Sequence, residues 1–563
     1  MSTYHEHRHS DDTVDGYEVA RTWLAEDPDP DTRAELEALL EKGDSAAIAD
    51  RFGSRLEFGT AGLRGALGAG PNRMNRVVVM RAAAGLASYL RARSAKAVVI
   101  GYDARHKSDV FATDTAAVVR GAGLRALLLP RPLPTPVLAF AIRHLGADAG
   151  VMVTASHNPP EDNGYKVYLG DGSQIVPPAD AEISAAIEAV GQLATVPRGD
   201  DWETLGEEVL DAYLHRVASL VDPTSSRDLR TVYTPLHGVG RDVVLAAFDR
   251  AGFPAPVVVS QQAEPDPDFT TVAFPNPEEP GAIDLALAAA AAEAVDLVLA
   301  NDPDADRCAV AVRDPAAAAG WRMLRGDEVG VLLGAHLIRR DPALTGTFAT
   351  SIVSSSMLGR MAAAHGLGYA ETLTGFKWIA RVDDVRYGYE EALGYCVDPD
   401  AVRDKDGVSA ALLVAELAAT LKSEGRALGD LLDDLAREHG LHATDQLAVR
   451  VDDVAVIESA MQRLRAQPPS ELGGARVTAA EDLAQGVGDL PPTDGLRYRL
   501  DGGGRVVVRP SGTEPKIKCY LEVVVAVAAD GDVESARKTA AARLADLKRD
   551  VAAAAGLSVP ELS

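Results

Sequence analysis

The sequence is poor in cysteine and in uninterrupted apolar runs. Cys308, Cys396 and Cys519 are its only cysteines, widely spaced, odd in number and in no CxxC pair, which excludes a disulfide scaffold and points to a reducing compartment. The most apolar segment, Ala282 to Ala300, carries Asp284, Glu293 and Asp296, too much charge for a membrane span. The start, MSTYHEHRHSDD, lacks the apolar core of a secretory signal, so a cytoplasmic protein is expected. His5, His7 and His9 read as part of a polar disordered arm rather than a metal site. Basic residues are scarce too: 56 Lys and Arg face 83 Asp and Glu, a formal net charge of -27. Such a surface repels nucleic acid and anionic lipid, and an anionic substrate would need local Arg and Lys clusters.

The 563 residues, 47% of them hydrophobic, suffice for several cores. Residues 16–50 read as one or two amphipathic helices broken at the Pro/Asp turn Asp27 to Asp31. Three later segments repeat one plan, an apolar strand, a small-residue turn and an amphipathic helix ending at glycine: AVVIGYDARHKSDVFATDTAAVVRGAG from Ala97, LRTVYTPLHGVGRDVVLAAFDRAG from Leu229 and GTFATSIVSSSMLGRMAAAHG from Gly346. They predict three related α/β domains with mixed, mainly parallel sheets. After about Gln446 strands such as RVVV and KCYLEVVVAV precede a long helix, predicting a C-terminal α+β domain. The expected boundaries are 1–205, 206–325, 326–446 and 447–563.

Four stretches carry chemistry. In VTASHNPPEDNGYK, from Val153, an apolar run ends at Ser156 and His157, Pro159, Pro160, Asn163 and Gly164 predict a loop, and Lys166 follows. A hydroxyl and an amine are thus placed near a strand end, where α/β proteins often keep their chemistry. A Ser156–His157 hydrolase would lack a G-x-S-x-G elbow and leave the acidic loop idle. In LVLANDPDADRCAV an apolar strand delivers Asp302, Asp304 and Asp306, with Arg307 following. Alternating carboxylates can converge on one hard cation, magnesium or calcium, with water or phosphate completing its shell; the EF-hand glycine and glutamate positions are not matched. In VVVRPSGTEPKIK, Arg509, Ser511, Gly512, Thr513 and Lys516 suit a phosphate dianion. FGTAGLRG, from Phe58, sets Arg64 in a glycine-rich turn of similar character.

Together these stretches resemble the α-D-phosphohexomutase superfamily from about Arg51 onward: TASHNP with NGYK resembles its phosphoserine loop, DPDADR its metal loop, GYEEALGY its sugar loop and RPSGTEPKIK its phosphate loop. YTPLHGVG, TGFKWI and DKDGV resemble the phosphoglucomutase branch, which includes phosphopentomutases. The resemblance implies a four-domain, heart-shaped enzyme with its parts packed around a shared cleft. It implies a phosphoryl group carried on Ser156, and Mg2+ held by Asp302, Asp304, Asp306 and a phosphoserine oxygen of Ser156. Lys166 would be general acid or base, with His157 the alternative and Arg64 assisting. Lys377, Glu390, Arg307, Arg509, Ser511, Gly512, Thr513 and Lys516 would bind substrate. The implied reaction interconverts glucose 1-phosphate and glucose 6-phosphate through glucose 1,6-bisphosphate, with mannose or pentose phosphates as alternatives and a catalytically silent sugar-phosphate binder as a remote one. The expected partners are small sugar phosphates, not nucleic acid or membrane. Many members read Glu-Glu-Ser in the sugar loop, whereas Ala392 here follows Glu390 and Glu391.

Overall fold

Each of the three repeated segments folds as its hydrophobic pattern predicts. In the computed structural model, which describes residues 6–59, 62–317, 320–451, 453–511 and 516–557, strand Ala97–Tyr102 leads to helix Ser108–Gly121, Thr231–Thr234 to Arg241–Arg250, and Thr347–Ser351 to Met357–Ala364. Each strand is the parallel centre of its own sheet. Antiparallel strands are added at one side of each, so all three sheets are mixed.

The first sheet runs Leu63–Ala66, Asp162–Leu169, Ala149–Val153, Ala97–Tyr102, Arg125–Leu128, Glu203–Thr204. Its central strands are near-continuous apolar runs because helices cover both faces. Val98, Ile100, Val151, Val153 and Val167 pack in one core with Leu86, Phe111 and Val119, and each such side chain contributes on the order of 1.5–3 kcal/mol by leaving water. The second sheet holds Leu297–Ala300, which feeds the acidic loop, between Thr231–Thr234 and Ala309–Arg313. The third runs Gly368–Thr372, Thr347–Ser351, Val385–Glu390, Gly394–Cys396.

The fourth sheet is wholly antiparallel, and the long strand Leu441–Arg450 already belongs to it. Helix Val533–Ala555 packs on it through Ala540, Leu544, Leu547 and Val551. The chain divides into two compact units: one comprises the residues up to Met323 with Asp398–Glu416, the other Leu324–Val397 and the residues from Leu417 on.

Two expectations change. The segment from Glu6 to Glu26 is a helix rather than a disordered arm, its sequence free of proline and of glycine before Gly16. Residues 30–52 form two further helices, Pro30–Lys42 and Ser45–Phe52, because Gly43 adopts a left-handed φ of 66° that ends the first and Asp44 caps the second. Among the described residues no helix is long and apolar enough to cross a membrane.

Candidate functional site: a serine hairpin on an acidic loop

Strand Ala149–Val153 is buried along its whole length and ends where the chain must turn. The turn is shorter than the sequence suggests, because Asn163 and Gly164 already belong to the returning strand Asp162–Leu169. Asn163 Nδ2 donates to His106 O at 2.9 Å and Ser108 Oγ at 3.0 Å. A Cβ on Gly164 would meet Thr154 O at 2.6 Å and Leu63 O at 2.9 Å, so only glycine lets the three strands close up. The antiparallel return sets Lys166 opposite Met152, and a spacing of ten residues becomes proximity to the serine.

Ser156 has a left-handed φ of 52°, a conformation that costs a non-glycine residue on the order of 1 kcal/mol and is held by its surroundings. Thr154 Oγ1 accepts its N–H at 2.9 Å. The buried Arg105 guanidinium donates to Ser156 O and Pro159 O at 2.8 Å, to Asp162 O at 3.1 Å, and to Asn158 O. One side chain thus serves several carbonyls of the loop, while the Ser156 hydroxyl turns to the acidic loop.

That hydroxyl donates to Asp302 Oδ2 at 2.8 Å. Asp302, Asp304 and Asp306 are wholly buried, with one carboxylate oxygen of each lying within 4.8 Å of the others. Their loop is braced from below: Val239 N donates to Pro303 O at 2.8 Å, and Gly238 sits so close that a Cβ there would meet Pro303 Cα at 2.3 Å. Lys166 Nζ bridges Asp304 Oδ2 at 2.8 Å and Asp306 Oδ2 at 3.0 Å, and Lys405 Nζ lies 3.3 Å from Asp306 Oδ2. Thr135 Oγ1 donates to Asp304 Oδ2 at 2.7 Å. Arg307 Nε stands 3.8 Å from both Asp302 and Asp306.

Burial and the two neighbouring aspartates push the Asp302 carboxyl well above its ordinary range. Burial acts against Asp304 and Asp306 as well, but Lys166 holds both below theirs, assisted at Asp306 by Lys405 and Arg307. Burial pulls the Lys166 ammonium down, yet Asp304 and Asp306 outweigh it and raise its pKa. Asp304 Oδ1 and Asp306 Oδ1 are buried without a hydrogen-bond partner. Buried carboxylate oxygens seldom stay unpaired, and these two fit a hard divalent cation that takes oxygen ligands.

His157 Nδ1 is 3.2 Å from Ser156 Oγ. Burial, then Arg307 and Arg64, depress its pKa well below that of a free imidazole, so the ring is neutral. Arg64 donates to Asn158 Oδ1 at 3.2 Å, and burial lowers its pKa.

The second unit gathers a different set. Glu390 Oε1 accepts Gly375 N at 2.7 Å, and Arg509 Nη1 donates to Thr374 Oγ1. The turn opening TGFKWI therefore ties the GYEEALGY stretch to the start of RPSGTEPKIK, with Lys377 two residues further on. Glu391 Oε2 accepts Ser354 Oγ at 3.0 Å and Ser351 Oγ at 3.1 Å, and burial, then Glu390, push its carboxyl up to about 7. Ser511 N donates to Lys516 O at 2.8 Å, while Gly512 and Thr513 lie outside the described residues. Arg105, Thr135 and Lys405 were not singled out from the sequence, although Arg105 lies in the first repeated segment and Lys405 in DKDGV. Their signal is contact with residues remote in sequence, which spacing does not carry.

The chain matches four domains described for the phosphoglucomutase/phosphomannomutase family: α/β/α domain I at residues 55–194, domain II at 211–316, domain III at 325–439 and the C-terminal domain at 447–550. It is 49% identical over 455 residues to a probable phosphomannomutase of Haemophilus influenzae, covering 80% of this chain and 93% of that protein. It is 36% identical over 559 residues to a human phosphopentomutase, covering 89% and 90%. It is likewise 36% identical over 501 residues to a phosphoglucomutase of Staphylococcus epidermidis, covering 83% and 90%. The crystal structure of a putative phosphomannomutase from Thermus thermophilus superposes with a TM-score of 0.68 at 26% identity, over 86% of this chain and 99% of the other.

Proposed function

The chain belongs to the phosphoglucomutase/phosphomannomutase family, and on that premise we propose that it interconverts glucose 1-phosphate and glucose 6-phosphate with Ser156 as phosphoryl carrier. The observation that carries this reading is the Ser156 hydroxyl, set 2.8 Å from Asp302 in a buried three-aspartate cluster that Lys166 bridges.

A serine hydroxyl is a weak nucleophile, whereas a phosphoserine is a donor. In the first half-reaction the bond from phosphorus to Ser156 Oγ breaks as one to a sugar hydroxyl oxygen forms, giving glucose 1,6-bisphosphate. In the second, the other phosphate of the bisphosphate passes to Ser156 Oγ, and the monophosphate leaves. In the first half the sugar hydroxyl's proton goes to the Lys166 amine while the departing Ser156 oxygen takes one up from water. In the second the serine hydroxyl gives its proton back to water, and the Lys166 ammonium, whose pKa Asp304 and Asp306 raise beside an unphosphorylated serine, returns its proton to the departing sugar oxygen, as microscopic reversibility requires. His157, neutral and 3.2 Å from Oγ, orients the serine oxygen without adding a charge beside it. Arg64 and Arg307 supply positive charge where the phosphoryl oxygens gather.

Asp302, Asp304 and Asp306 would hold Mg2+, together with a phosphoserine oxygen of Ser156, and the bound ion would offset charge on the transferring group. Glu390 and Lys377 are assigned to the sugar, and Arg509, Ser511, Gly512, Thr513 and Lys516 to the phosphate that is not reacting. A phosphatase has no use for such a distal clamp.

The three relatives bear three different sugars in their names, so the motifs guide the choice. YTPLHGVG, TGFKWI and DKDGV favour glucose. Ala392, which removes a hydroxyl from the sugar loop, favours a second reading, pentose 1- and 5-phosphates. A panel of glucose, mannose, ribose and deoxyribose 1-phosphates, assayed with Mg2+ and catalytic glucose 1,6-bisphosphate, tests the assignment. Glucose 1-phosphate should give the highest kcat/KM. A pentose phosphate leading by tenfold would replace it, and no turnover of any member would sink the mutase reading.

A further inference from the structure

Thr135 makes two hydrogen bonds to one aspartate 169 positions away. Its N–H donates to Asp304 O at 2.9 Å and its hydroxyl to Asp304 Oδ2 at 2.7 Å. Thr135 is fully buried and opens helix Thr135–His144, between Pro134 and Pro136. Its amide is one that no carbonyl of its own helix can accept, so the acidic loop completes the helix end while the helix end fixes the loop.

We infer that Thr135 is a positioning residue for the cation, locking the Asp304 carboxylate so that Oδ1 remains its open ligand atom. This rests on the reading of the acidic loop as a cation site. A carboxylate turns about a broad, nearly two-fold torsion and needs a fixed partner to distinguish its oxygens. Lys166 also reaches Asp304 Oδ2, at 2.8 Å, but its long flexible chain is assigned to the substrate and cannot be a constant anchor. Thr135 is β-branched and stiff at its first torsion. Being uncharged, its hydroxyl orients the carboxylate without neutralising it, which a second lysine would not do.

The result matches the unpaired atoms. Oδ2 of Asp304 is engaged by Thr135 and Lys166, Oδ2 of Asp306 faces Lys166 and Lys405, and in both residues the buried Oδ1 has no hydrogen-bond partner, with Arg307 Nε standing 3.8 Å from that of Asp306. Groups that orient metal ligands in this way commonly set affinity by 10- to 100-fold.

The test is calorimetric titration of the full-length chain with Mg2+ and with Mn2+, substrate absent and Ser156 phosphorylation matched by intact mass. Thr135→Val keeps the shape and removes the donor, and should weaken both ions about tenfold or more, with melting in chelator close to wild type. Thr135→Ser restores the hydroxyl and should bind within roughly threefold of wild type, a smaller loss than the full 10- to 100-fold range. Should valine not fold, Thr135→Ala replaces it, read by the metal-induced rise in melting temperature. Wild-type affinity in Thr135→Val, or equal losses in the serine and valine variants, would overturn the role. A wild type that binds neither ion overturns the site and this role together. Normal metal behaviour in a protein that turns over no sugar phosphate would remove only the mutase reading.

Discussion

At the scale of the residue, Ser156 combines a strained backbone with an exceptional setting: a left-handed φ, a hydroxyl on Asp302 and a carbonyl on Arg105. A surrounding structure that over-determines such a conformation is typical of functional loops. If Ser156 is the carrier, peptide mass spectrometry should find one phosphoryl group between Val153 and Lys166, and its fraction should rise with glucose 1,6-bisphosphate. Ser156→Ala should lose nearly all mutase activity yet still bind glucose 6-phosphate, and label appearing on another residue would refute the carrier role. Glu391 gives a prediction of opposite character. Its carboxyl, lifted from an ordinary 4.5 to about 7 by burial and Glu390, binds its proton more tightly in the folded than in the unfolded chain. Its contribution to stability is therefore complete below pH ~4.5 and is lost as pH rises through about 7. Groups facing it include Glu390, Asp327, Ser351 and Ser354. Glu391→Gln should flatten the fall in unfolding free energy between pH 5 and 8, read by denaturant titration, by an amount on the order of 2–3 kcal/mol at the alkaline end. An identical slope in wild type and variant would count against it.

At the scale of the element, the serine hairpin works because Arg105 closes it from behind. Arg105→Met would take a donor from the carbonyls of Ser156, Asn158, Pro159 and Asp162, of which Pro159 O keeps the Asp162 amide at 3.1 Å. Each buried polar group left unpaired costs about 1–3 kcal/mol, more than the hairpin can retain without loosening. Amide exchange in residues 154–162 should quicken and kcat should fall more than KM rises; unchanged exchange would show that the loop holds itself. The repeated strand, turn and helix were legible in the sequence because hydrophobic period reports burial directly. The acidic loop and Ser156 were legible because an apolar strand delivers each. The returning strand was not, since Asn163 and Gly164 signal a turn when read locally. Their actual neighbours, His106 O, Ser108 Oγ and the carbonyls of Thr154 and Leu63, belong to a loop, the start of a helix, a turn and another strand. Arg105, Thr135 and Lys405 escaped for the same reason: each acts on atoms far along the chain, and nothing in their own neighbourhoods marks them.

At the scale of the whole molecule, the proposed functions are divided between the two units. The carrier, the aspartates, Lys166 and Lys405 belong to the first; Glu390, Lys377 and Arg509 belong to the second. This division suits a reaction in which one phosphate is chemically active while the other only needs to be held, and in which the two exchange parts between half-reactions. A chain with a net charge of -27 must concentrate its cations to hold such dianions at all. Arg509 opens the RPSGTEPKIK stretch, and its guanidinium already donates to Thr374 beside the Gly375 amide that Glu390 accepts. If it serves the non-reacting phosphate in both orientations, Arg509→Ala should raise KM for glucose 1-phosphate and for glucose 6-phosphate by the same factor. That factor is roughly 10- to 100-fold, from the 1.5–3 kcal/mol of a lost charge-assisted hydrogen bond. Because Arg509 belongs to the second unit and the three aspartates to the first, Mg2+ affinity measured without substrate should not move. A loss confined to one of the two monophosphates would show that the loop serves a single orientation, and the second phosphate would then need another anchor.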